Sequence, residues 1–166
     1  MKYLIQVLLE YEDDVVRDIE IGSSKNLYDL HKFIIKIFKL KENEMASFYK
    51  INQDFELTNE IPLIDINSDQ KTMSKIKISS LLIKKSDQLI YVNNFLKMWR
   101  FSVTLISFIN EEISNPKCIK KVGEMPSNAP DLEYKSSKQS NKLNENFSTR
   151  TNYLDEYDEY NEFSEY

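Results

Sequence analysis

Apolar residues alternate from the start of the chain. Tyr3, Ile5, Val7, Leu9 and Tyr11 fall on one face of an extended strand, and Leu4, Gln6, Leu8 and Glu10 on the other. A strand with one apolar face needs a pairing neighbour and a covering layer, and both follow at once. After the acidic turn Glu12-Asp13-Asp14, VVRDIEI places Ile19 and Ile21 on one face and Asp18 and Glu20 on the other, which predicts a hairpin. Ser24 or Asn26 can then cap a helix. Leu27, Leu30, Ile34, Ile37 and Phe38 recur at three- and four-residue spacings, the buried stripe of an amphipathic helix near 26–39. Lys32, Lys36 and Lys39 fall on its far side. They read either as a phosphate-facing patch or as a solvated face, and the neutral body favours the solvated face.

Further along, SFYKI (47–51) predicts a short strand. DFELTNEIPLIDINSDQ reads as loop, because Pro62 restricts Ile61 and polar residues break the periodicity. ISSLLIKK (78–85) fits one or two helical turns or a buried strand. QLIYV (88–92) and MWRFSVTLISF (98–108) read as strands, the second with Trp99, Phe101, Val103 and Leu105 on one face. Asn93 and Asn94 supply turn chemistry between them. The expected fold is α+β and broadly ubiquitin-like. It is a mixed β-sheet of two hairpins and a short strand, with one main helix packed on one face and a disordered acidic tail.

Composition enters as exclusion. One cysteine rules out an internal disulfide, and Cys118 with His31 alone cannot make a Cys/His metal site. Gly22 and Gly123 are the only glycines, too few for a P-loop or a dinucleotide-binding turn. No cofactor and no metal are expected. From Ser127 onward nine acids face four bases, which accounts for the whole net charge of −5 and leaves a neutral body. The polar run SSKQSNKLNENFSTRTN cannot bury enough surface to offset chain ordering. Three parts are therefore expected: a compact domain over 1–126, a disordered polar linker over 127–152, and an acidic–aromatic tail over 153–166. The opening residues make a poor secretory signal, and no apolar run is long enough to span a membrane, so a cytoplasmic protein is expected.

Several stretches fall in the order of a known family. They are VVRDIEI, NLYDLHKFIIKIF, EMASF, DQLIYVNNFLKMW and NPKCIKKVGEMP. On these the chain resembles the plasmid ORF-three-like proteins, also described as insertion-element passenger or "TnpR-like" proteins, over roughly residues 3–126. Tyr91, Phe95 and Trp99 align on the family's Y-x-Y-D-F-G-D-x-W, Arg17 on a second-strand Arg, and Leu30-His31 on a Leu-His of the helix. Asn115-Pro116-Lys117-Cys118 resembles its Pro-x-Cys turn. The chain departs from the pattern at Asn93, Asn94, Leu96 and Lys97, at Met45 where a His is expected, and at Pro126-Ser127-Asn128-Ala129. Any carboxylate or imidazole chemistry at those positions is lost here, since Asn, Lys and Met cannot perform it. No basic cluster surrounds a nucleophilic Ser or Tyr, so strand transfer is not supported.

Five residues in the body are candidates for binding: Arg17, His31, Tyr91, Phe95 and Trp99. Arg17 reads as an anion ligand or as the partner of an acid across the hairpin. His31, the one side chain titrating near neutrality, reads as a ligand or as a helix-packing histidine. Tyr91, Phe95 and Trp99 read as a pocket lining, a base-stacking surface or core. Cys118 reads as a small packing residue. In the tail, Tyr157, Tyr160, Phe163 and Tyr166 recur every third residue between acids, a pattern suited to a segment that folds on a partner. The functional expectation is an intracellular protein-binding or adaptor module with no catalytic constellation, its tail contacting another protein. The alternative is an enzyme or mobile-element accessory protein using a pocket near His31, Arg17, Tyr91 and Trp99. Nucleic acid is an improbable partner for a neutral body with an acidic tail.

Overall fold

The computed structural model describes residues 1–52, 54, 56–65 and 71–128. Tyr157, Tyr160, Phe163 and Tyr166, the tail that carries them, and the linker beyond Asn128 lie outside the described residues. Everything described belongs to one unit, Met1–Asp131.

The alternating N-terminal segment forms β1 (Lys2–Leu9), paired antiparallel with β2 (Val15–Gly22) in the register Tyr3↔Ile21, Ile5↔Ile19, Val7↔Arg17 and Leu9↔Val15. The other face carries the polar pairs, with Gln6 Nε2 donating to Asp18 at 3.1 Å and Lys2 beside Glu20 at 3.0 Å. The helix α1 (Leu27–Phe38) begins at Asn26, whose side-chain oxygen accepts from the Asp29 N–H at 2.8 Å. Its stripe of Leu27, Leu30, Ile34 and Phe38 is buried, each side chain worth about 1.5–3 kcal/mol of apolar transfer. It closes on Lys39 in the left-handed region (φ 54°).

The remaining strands are β3 (Ala46–Ile51), β4 (Leu57–Pro62), β5 (Gln88–Asn93), β6 (Trp99–Ile109) and β7 (Lys117–Val122). They join one seven-stranded sheet in the order β4-β3-β5-β6-β1-β2-β7. Every pairing is antiparallel. This corrects the expected mixed, ubiquitin-like sheet. A parallel pair is absent because the β5–β6 hairpin enters beside β1 with β6 running opposite to it.

Two strands were not expected. β4 lies inside the segment read as loop. Asn59 (φ 48°) sits at a bulge that shifts the β3–β4 register between Phe48 and Lys50, so the alternation is interrupted, and Pro62 ends an edge strand where a missing N–H is tolerated. β7 is exposed along its whole length, so it shows no apolar period. Lys117, Lys120 and Lys121 instead mark it as a charged edge. Ile78–Ser80 forms a single 3-10 turn.

One face of the sheet and the helix enclose the core. Phe38 of α1 meets Phe101 of β6 with ring centroids 4.8 Å apart, and Tyr91 of β5 meets Phe48 of β3 at 4.8 Å. No helix among the described residues is long and apolar enough to cross a membrane.

Candidate functional site

Arg17 alternates with Val15 and Ile19 on the core side of β2, opposite Val7 and Lys121, so no acid faces it across either ladder. It is 1% exposed. The guanidinium lies 5.0 Å over the Phe38 ring and donates to three carbonyls: Val16 (2.8 Å), Val122 (2.6 Å) and Gly123 (3.0 Å). The expected pairing with an acid is thereby corrected. The planar fork instead fastens the end of β7 to β2, a task that uses delocalised charge and several fixed donors.

His31 and Tyr91 meet in the core. The His31 Nδ1 lies 2.8 Å from the Tyr91 hydroxyl, which also receives Asn93 Nδ2 at 3.4 Å. Burial, and then the nearby Lys32 charge, lower the His31 pKa to about 4, while burial pushes the Tyr91 phenol well above its usual value. At neutral pH both groups are uncharged. Arg17, His31 and Tyr91 are thus brought together around one aromatic core, with their polar atoms engaged by protein groups. Phe95 is separated from them, in the turn between β5 and β6, and is 41% exposed. Cys118 stands exposed on β7, correcting its reading as a packing residue.

Trp99 is the candidate that borders open space. It starts β6 opposite Asn93 and lines a cleft of about 140 Å³. Three separate segments build the other walls: Phe38 to Lys41 with Glu44 after the helix, Asn93, Asn94 and Lys97 of the β5–β6 turn, and Met125-Pro126 after β7. The turn is well determined. Asn94 (φ 57°) caps it with its side-chain oxygen, which accepts from the Leu96 and Lys97 N–H groups at 3.1 and 3.0 Å. Its own N–H donates to the Met45 carbonyl at 2.9 Å, which ties the turn to the start of β3. An Asn serves this cap as well as an Asp. The positions where the sequence departs from its resemblance therefore gather here: Asn93, Asn94, Lys97 and Pro126 line the cleft, and Met45 bonds to its rim.

Reading the sequence missed Lys39, Lys41 and Met125 as cleft residues. The signal available was Lys39 at the end of the helix and Lys97 inside the central motif. No group of His, Cys, Asp and Glu able to hold a metal occurs among the described residues.

Fold and cleft together define a small α+β domain with one helix on an antiparallel sheet. The chain belongs to the family described as Plasmid pRiA4b ORF-3-like protein, whose model matches residues 2–160. Among solved structures, a protein of unknown function from Methanosarcina mazei is similar in fold. It has a TM-score of 0.60 and 20% identity, over 72% of this chain and 68% of that one. Comparison with curated proteins gave no match.

Proposed function

We propose that the chain is a non-catalytic protein-binding or adaptor module. The observation that carries this reading is the engagement of the candidate reactive groups. Arg17 donates to three carbonyls, and His31, Tyr91 and Asn93 bond to one another beneath the helix. A substrate could reach them only by displacing α1. The acidic–aromatic tail is the interaction segment in this reading, its Tyr157, Tyr160, Phe163 and Tyr166 supplying apolar anchors between charges. We assign it to a reducing compartment such as the cytoplasm, where the exposed free thiol of Cys118 persists.

The test is capture of partners by the full chain and by a full-length variant carrying Tyr157→Ser, Tyr160→Ser, Phe163→Ser and Tyr166→Ser. Loss of specific partners from the variant supports the reading. An unchanged set overturns the tail's role.

A further inference from the structure

The cleft at Trp99 continues into a second concavity. A groove of about 840 Å³ runs along the outer side of α1 and shares Lys39 and Leu40 with the cleft. Five lysines line the combined trough (Lys32, Lys36, Lys39, Lys41 and Lys97) against two acids, Glu42 and Glu44. Asp29 lies 3.5 Å from Lys32, whereas the other four lysines form no ion pair among the described residues. Between the charges the floor is apolar, from Ile35 and Leu40 to Phe38 and Trp99.

We propose that this trough docks an extended acidic–apolar segment of a partner protein. Charge complementarity selects carboxylates, and the apolar floor selects side chains between them. Shape narrows the occupant further. Small-molecule sites enclose roughly 300–1,000 Å³. The cleft at Trp99, with about 140 Å³, takes one side chain, while the groove beside it is long and open. A polypeptide can seat one anchor at Trp99 and lay neutral residues opposite Glu42 and Glu44. A nucleic-acid strand repeats its charge at every step and meets both acids.

The rim is rigid before any ligand arrives. Lys39, Asn94 and Met98 all hold left-handed backbone without glycine (φ 54°, 57° and 52°), and such strain persists only where surrounding structure enforces it. A preformed rim lowers the ordering cost of binding. This inference shares the binding-module reading but assigns the domain a site of its own, separate from the tail.

Trp99 is the sole tryptophan, so its emission reports on the cleft. The full chain is titrated with a synthetic peptide of alternating Glu and Leu, and in parallel with the same peptide carrying Lys for Glu, with inorganic phosphate, and with an oligothymidylate. The expected result is a saturable emission change with the acidic peptide alone. It should weaken about tenfold in Lys41→Glu/Lys97→Glu, weaken with added salt, and be unaffected in Lys85→Glu, an exposed lysine away from the trough. Absence of a saturable change overturns the proposal. So does equal weakening by Lys85→Glu, or an equal response to phosphate or the oligonucleotide. Repeating the titration on the tail-substituted chain separates the two readings. A failed peptide titration beside lost tail partners overturns the trough and leaves the tail standing.

Discussion

His31 Nδ1 and the Tyr91 hydroxyl lie 2.8 Å apart in the core, joining the helix to the centre of the sheet through two neutral groups. Around this bond stand the Tyr28 ring, Asn93 and the Lys32 charge, with no carboxylate paired to the imidazole. The arrangement tolerates a neutral histidine and opposes a charged one. Its pKa falls from 6.5 to about 4 on folding. The unfolded chain therefore takes up the proton first as pH drops. Stability from this group is fully present above about pH 6.5 and declines as pH falls towards about 4. Urea midpoints measured across that window should drop in the parent and drop less in His31→Gln. Equal slopes would sink the assignment.

Removing the hydroxyl isolates the bond from the packing. Tyr91→Phe keeps the ring against Phe48 and Phe101 but leaves His31 Nδ1 and Asn93 Nδ2 without this partner. An unsatisfied buried polar group costs about 1–3 kcal/mol. The urea midpoint should fall accordingly with an unchanged slope, since the surface exposed on unfolding is the same.

Much of this interior was legible from the residues. The alternation through Tyr3, Ile5, Val7 and Leu9 and the stripe through Leu30, Ile34 and Phe38 are visible because each element buries one face. β4 and β7 were not legible, for opposite reasons. A bulge at Asn59 breaks the period of β4, and β7 buries neither face, so no period exists to read. The role of Arg17 was hidden because its acceptors are backbone carbonyls at Val122 and Gly123, which leave no mark in a side-chain pattern. The cleft was hidden because its walls come from residues near 40, 95 and 125, adjacent only after folding.

Arg17→Leu should loosen β7 before the rest of the sheet. The substitution leaves three carbonyls without their charged donor, and hydrogen bonds to charged groups are each worth about 1.5–3 kcal/mol. Amide exchange at Cys118–Val122 should accelerate more than exchange at Leu89–Val92. Uniform acceleration across both strands would contradict a local clamp. Arg17→Lys should not rescue the effect, because one ammonium cannot reproduce the fork.

Gly123 sits directly beyond that clamp in the left-handed region (φ 68°), where an added Cβ would run into the Asp14 carbonyl oxygen and come within 3.2 Å of Val15 Cα. Gly123→Ala therefore meets strain and collision together. A loss of more than about 2 kcal/mol is expected, read as a lower thermal midpoint. A neutral result would mean that the chain after β7 does not hold its position against β2.

Lys39 offers the opposite case. It terminates α1 with φ 54°, while the Leu40 N–H donates to the Ile35 carbonyl at 3.0 Å, the helix-ending geometry that usually falls to glycine. A residue with a Cβ is disfavoured there, so Lys39→Gly should stabilise the fold by about 0.5–1 kcal/mol, offset in part by the freedom glycine gains when unfolded. The same side chain is shared by the cleft and the groove of the proposed trough. Lys39→Gly should thus raise the thermal midpoint while weakening the acidic peptide's effect on Trp99 emission. A lysine kept at a strained cap for its charge moves the two measurements in opposite directions. If both rise, or if binding is untouched, Lys39 is no part of the docking surface.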